Sequence, residues 1–425
     1  MGARERESYG PSALEVLPIV RLAPSYFEIE NTEGNAETWE NFGKWYYELG
    51  KDAKSLSKAA KTEIDNIIAD KATEQEKVNA LFRYMQNKTR YVSIQLGIGG
   101  WKPFPAEYVF TNEYGDCKAL TNYMQSILEY AGIKSNAVLI NSGISEAPLR
   151  VDFPSNQFNH VILRVELSNG EIIWLECTSK YYPPGHIGSG NEDKNALMVT
   201  KEGGVIVKTP SSEANENVTS IYSNISLKDD GGILMNSKVT NTGIQQEYLL
   251  NSLLSISENA KVEWLEERFP QSNHSLLNVD FTGVNPKGNS VSYSYEAEFE
   301  NYASSSSSRI YVPLKTSNSW NFNPQIQENR DHEISLGYKF AELDTVLYEL
   351  PEGYKIESMP DSKIIEEDFG LYEINFTLNN SGNLELNRYL AIKEKTVPAE
   401  QYENFRNFFR EVSNLDNSQL ILVRK

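Results

Sequence analysis

Basic residues are scarce in this 425-residue chain: forty Lys and Arg stand against fifty-nine Asp and Glu, for a net charge of −19. So acidic a surface repels phosphate backbones and anionic lipid, which leaves neither nucleic acid nor a charged membrane surface as an expected partner. Cysteine is scarcer still, with Cys117 and Cys177 alone, so no disulfide framework exists and the compartment cannot be read from thiols. The four histidines, His160, His186, His274 and His332, have no second His or Cys at ligand spacing. No metal and no other cofactor is therefore expected. The opening residues MGARERESYGPSALEVLPIV lack the apolar core, about seven residues long, of a secretory leader, and no transmembrane segment is expected anywhere. The second half shows no glycine-rich phosphate loop, and no internal repeat is present.

What the chain does contain is a pattern for a nucleophile. After the β-rich piece Arg90 to Ile94 and a Gly/Pro-punctuated loop, Tyr114-Gly115-Asp116-Cys117 leads into Leu120, Met124, Ile127 and Leu128 at helical spacing. Cys117 is thereby expected at a helix N-terminus, with Gly132 closing the helix in the C′ position. The unpaired N–H groups and the positive dipole end there favour a sulfur carrying negative charge. A proton partner is available in His160, at the head of a strand-like apolar run. A second strand, Ile172 to Cys177, follows Ser168-Asn169-Gly170, a triplet suited to a three-residue hairpin loop with Gly left-handed. Pairing Leu167 with Glu171 across that loop sets His160 opposite Thr178 and diagonal to Glu176 on one face. A loop one residue shorter would put them on opposite faces. By the same alternation Cys177 points the other way, with Ile173 and Leu175, as a small buried hydrophobe rather than a disulfide partner of Cys117.

A Cys at a helix start, then a His on one strand and a carboxylate on the next, is the chain order of the transglutaminase-like branch of papain-type cysteine enzymes. The segments YGDCKAL, FNHVIL and WLECTS resemble that family, and RYVSIQLGIGGWKPFPAEYVF resembles the lead-in of bacterial exported proteins that carry such a core. The resemblance runs from Trp39 to Pro210, with Glu176 where most members have Asp. It implies an α+β fold, a papain-like core of helices packed on an antiparallel sheet. It also implies cysteine-dependent acyl transfer on peptide or carboxamide bonds through a thioester, as a protease or amidase or as a transglutaminase. Cys117, His160 and Glu176 would be the catalytic residues and a peptide or protein the substrate. The Cys117 N–H would hold the oxyanion with a second donor, Gln95 or Trp101, and either of these two also suits an ordinary loop or packing role. A periplasmic or cell-envelope location is implied as well, with the first thirty-five residues the tail of an upstream β domain. The competing reading is a catalytically silent binding or assembly module of the envelope.

Around this core, Trp39 to Lys88 reads as three helices. Trp39, Phe42, Trp45, Tyr46 and Leu49 form an aromatic stripe assigned to packing, and Thr73-Glu74-Gln75-Glu76 is a capping box. The loop from Ser142 to Gln157 is a candidate cleft lining, and His186, in a Gly/Pro turn, is expected to be exposed. The polar run PSSEANEN marks a boundary, giving an arm over 1–35, a catalytic domain over 36–212 and an accessory domain over 213–425. The last part alternates like strands, interrupted by helices over Ile244 to Phe269 and Pro398 to Val412. It reads as a β-sandwich-like accessory region, with a candidate subdivision near 325–332.

Overall fold

Three of the helices ahead of the nucleophile begin on a hydroxyl cap. Thr38, Ser57 and Thr73 accept hydrogen bonds from the N–H groups of Asn41, Ala60 and Glu76, and open the helices Trp39–Gly50, Lys58–Ile68 and Glu74–Lys88. At the third, the Glu76 carboxylate returns a bond to the Thr73 N–H, completing the capping box. The structure is a computed structural model and describes residues 7–29, 31–94, 96–269, 273–285, 288–316, 318–327 and 330–425. It divides into two compact units, one of Ser12–Ser211 and one of Ser212–Lys425 together with the residues up to Pro11.

In the first unit a five-stranded sheet runs in the order Ile172–Leu175, His160–Glu166, Lys134–Ile140, Asn195–Val199, Gly204–Lys208, with every neighbouring pair antiparallel. The helix Cys117–Tyr130 buries Leu120, Met124, Ile127 and Leu128 in one core with Leu163, Val165 and Leu175 of the sheet and Leu81, Phe82 and Met85 of the capped helix. The helix Trp39–Gly50 lies against the last strand so closely that a Cβ on Gly43 would come within 2.2 Å of the Gly204 Cα. Glycine in mid-helix is otherwise unfavourable; here it lets the two backbones touch.

The hairpin that carries the candidate acid–base pair has the register its loop requires. Gly170 takes φ 87°, the Leu167 N–H bonds the Glu171 carbonyl at 2.9 Å, and the ladder pairs Leu163 with Leu175 and Glu166 with Ile172. The ladder stops at Leu175, however. Beyond it the Glu176 carboxylate binds the N–H and hydroxyl of Thr178, two residues on, and this local turn competes with strand pairing. The expected pair His160–Thr178 is therefore not formed, and Glu176 approaches from a strand end instead of across a ladder.

In the second unit eight strands pair in the order His274–Asp280, Ser290–Phe299, Ile233–Thr242, Val218–Leu227, Phe340–Glu349, Leu384–Ile392, Gly370–Leu378, Lys363–Glu367. A four-stranded sheet joins Ser304–Ser305, Arg309–Pro313, Gln419–Arg424 and Tyr354–Ser358. Phe405, Phe408, Phe409 and Val412 of the helix Tyr402–Asp416 share one apolar core with Ile310, Leu422 and Tyr354 of the small sheet and Tyr348, Tyr372 and Leu386 of the large one. That core is continuous on both sides of 325–332, where a subdivision was expected.

Two further expectations change. The long helix over 244–269 is two helices, Gly243–Leu253 and Glu258–Glu266, because Ser257 caps a new start on the Ala260 N–H. The arm over 1–35 is divided: Glu7 accepts from the N–H groups of Asp331 and His332, and Tyr9 meets Phe322 edge-on at 5.2 Å, so this end belongs to the second unit. Residues from Ser12 onward belong to the first. Among the described residues no helix is long and apolar enough to cross a membrane.

Candidate active site

Cys117 is the first residue of its helix. Asp116, the N-cap, accepts from the Ala119 N–H at 2.9 Å and is paired with Lys118, both charges being buried. His160 is the first residue of its strand, and its Nε2 lies 2.7 Å from Glu176 Oε2. That leaves Nδ1 as the ring nitrogen for the hydrogen bond between His160 and the Cys117 side chain. Sulfur, imidazole and carboxylate thus stand in sequence, drawn from a helix start, a strand start and a strand end.

The carboxylate is held from every side. Oε1 of Glu176 accepts from the Thr178 N–H at 2.9 Å and the Thr178 hydroxyl at 2.6 Å, and Oε2 accepts from Asn191 Nδ2 at 3.0 Å as well as facing the imidazole. Asn191 is itself anchored, donating to the Ile187 carbonyl at 2.7 Å. Burial alone would raise the Glu176 pKa, but the His160 charge and the Thr178 bonds outweigh it and hold the group below its usual range. Burial would likewise discharge the imidazole. The Glu176 charge and the hydrogen bond with Cys117 outweigh that too and push His160 up to about 10. At neutral pH the two form an ion pair, with a proton stored beside the sulfur.

The surroundings are apolar and close. Cys117 is only 4% exposed and packs with Trp39, Phe42, Leu139, Leu149 and Val161. Trp101, half-buried, borders the same cluster, its ring 5.3 Å from that of Trp45. Gln95, the other expected oxyanion donor, lies outside the described residues. A cavity of about 460 Å³ adjoins the cluster, lined by Phe42 and Trp101, by Phe153, Ser155 and Gln157 of the loop assigned to cleft lining, and by Leu22. That loop is fixed to the helix Trp39–Gly50 by a bond from Trp39 Nε1 to the Val151 carbonyl at 2.7 Å. Among the described residues no group of His, Cys, Asp or Glu is arranged to hold a metal ion.

Three neighbours escaped the sequence reading. Asn191 comes from a loop with no motif to single it out. Thr178 had a signal, a hydroxyl two residues after a carboxylate, which is the spacing of a local turn. Tyr46 was absorbed into the aromatic stripe. It is buried in the same apolar cluster as Cys117, and burial is the main cause that holds its phenol well above the usual range. Cys177 packs on the opposite side with Ile173 and Leu175, and burial followed by the Glu176 charge pushes its thiol up. Both cysteines are free. His186 is half-buried instead of exposed, its ring 4.6 Å from that of Tyr182.

The model of DUF3858, a domain of unknown function with a solved structure, matches residues 308–422. No curated protein matches the chain. Among solved structures it is similar to the crystal structure of a "putative protease" from Parabacteroides distasonis ATCC 8503, at 14% identity and a TM-score of 0.52. The match covers 90% of this chain and spans 58% of the length of that one. At such identity the likeness is one of fold, a mixed α/β chain with large β-sheets.

Proposed function

We propose that the first unit is a transglutaminase-like, papain-type core and that the protein carries out cysteine-dependent acyl transfer on peptide or carboxamide bonds. The observation that supports this reading best is the line from Cys117 through the His160 ring to Glu176, with its 2.7 Å contact between imidazole and carboxylate. With its proton held on His160 Nδ1, the Cys117 sulfur attacks the carbonyl as the thiolate; the C–N bond then breaks as that proton passes to the departing amine, leaving a thioester. The imidazole then takes a proton from the acceptor, whose attack breaks the thioester C–S bond, so that the sulfur leaves as thiolate and the imidazolium pairs again with Glu176. The Cys117 N–H, with Gln95 or Trp101, holds the oxyanion. Water as acceptor gives a protease or amidase, and an amine gives a transglutaminase. The description of the similar solved structure favours peptide hydrolysis. The same family resemblance makes the periplasm or cell envelope the proposed location.

A panel of peptides, with and without added amines and read by mass, tests the reading. Cleavage or amine incorporation that is lost in Cys117→Ala supports it. Alkylation at neutral pH should label Cys117 well before Cys177, whose thiol is suppressed by burial. Equal, slow labelling of both thiols together with no turnover would support the silent envelope module instead.

A further inference from the structure

The large sheet of the second unit holds a hollow of about 370 Å³ on its buried face. Its origin lies in the register. Tyr295, Ser237, Ser223 and Val346 stand abreast on four neighbouring strands, whereas the adjacent row carries Ala297, Met235, Ile225 and Tyr348. Two serines at the centre of a core sheet leave room that Met235 and Ile225 fill one row along. Their hydroxyls, both buried, bond to each other at 2.7 Å, which uses one hydroxyl hydrogen and leaves the other to donate.

The walls add a second character. Tyr295, Phe299, Tyr302 and Trp320 line the hollow with rings, and Arg268 and Lys315 line it with positive charge. The Arg268 guanidinium is held 3.7 Å over the Trp264 ring and donates to the Trp264 carbonyl at 2.7 Å. Among the described residues no carboxylate lines the hollow, on a chain whose net charge is −19. The volume is that of a small-molecule pocket, which ranges over about 300–1,000 Å³. We propose that this hollow binds a small organic anion, a flat ring body bearing one carboxylate or sulfonate, with its ring among the aromatic walls and its charge toward Arg268 and Lys315.

The probe is 8-anilinonaphthalene-1-sulfonate, compared with N-phenyl-1-naphthylamine, which has nearly the same ring body without the charge. Titrated into the full chain, the sulfonate should bind at one site and more tightly than the neutral compound. Lys315 is exposed, so Lys315→Glu should fold normally; it should loosen the sulfonate about tenfold and leave the neutral probe unchanged. The double change Ser223→Val with Ser237→Val removes both bonded hydroxyls together, which is tolerated better than orphaning one, and sets two methyls on each Cβ in their place; the added bulk should abolish binding of both probes with little change in thermal unfolding. Equal affinity for the two probes, sulfonate binding indifferent to both variants, or no binding to the unaltered chain would each overturn the proposal.

Discussion

Replacing Glu176 by Gln removes one charge from the candidate site while keeping the side chain's size. The rise of His160 from an ordinary 6.5 to about 10 amounts to ~5 kcal/mol of preference for the imidazolium. The Glu176 charge is the largest of the influences that raise it, and burial is what it works against. With Gln in place, burial acts with much less opposition, and the imidazole should become neutral within the physiological range. Acyl turnover should then fall roughly 10²–10⁴-fold, because no proton is stored beside the sulfur. The linkage has a definite sign. A raised histidine pKa contributes stability that is complete below about 6.5 and is lost as pH climbs through about 10. The lowered Glu176 contributes stability above its ordinary 4.5 that is lost as pH falls. The assay is ¹⁵N NMR of the imidazoles, with His160 assigned by substitution among only four histidines, alongside alkylation of Cys117 across the same pH range. Gln offers a single acceptor oxygen where Glu176 accepts from Thr178 and Asn191, so a stability loss of ~1–3 kcal/mol should accompany the change and is followed by thermal unfolding. A His160 titration identical in both proteins would refute the argument that Glu176 sets the charge of the imidazole.

Two other substitutions probe the scaffold. Gly43→Ala gains up to ~1 kcal/mol of helix propensity but sets a Cβ 2.2 Å from the Gly204 Cα, so denaturant unfolding should show a net loss of about 1–3 kcal/mol, and a stabilised variant would disprove the close approach. In the second unit Arg388 is buried among Asp416, Asp344 and Glu342, at 2.8, 3.1 and 3.0 Å, and burial exceeds what the arginine offsets, raising Glu342 to about 7 and Asp344 to about 6. These acids hold protons when folded that they release when unfolded, so stability should fall as pH rises from about 4.5 through about 7, by ~3 kcal/mol for Glu342. Glu342→Gln should flatten that slope in unfolding curves at pH 5 and 7.5, and an unaltered slope would show that the group titrates normally.

Short-range physics made a large part of this molecule legible from its residues. The capping box at Thr73, the helix beginning at Cys117 and the Ser168-Asn169-Gly170 loop each depend on bonds spanning a few positions, and a three-residue loop fixes which side chains of a hairpin share a face. Local rules therefore put His160 and Glu176 on one face of the hairpin in the sequence itself. The folded structure decided how they meet: the ladder ends at Leu175, Thr178 turns the carboxylate back, and Asn191, fifteen residues further on, locks it in place. It also decided that Tyr46 shares the buried cluster of Cys117, that the thiol is nearly enclosed, that residues 7 to 11 join the second unit and that two serines face each other inside a sheet. None of these has a local cause. Each follows from which distant segments close around a buried group once water is gone, and the desolvation cost of an unpaired polar atom then selects partners that no spacing rule within one strand or helix contains.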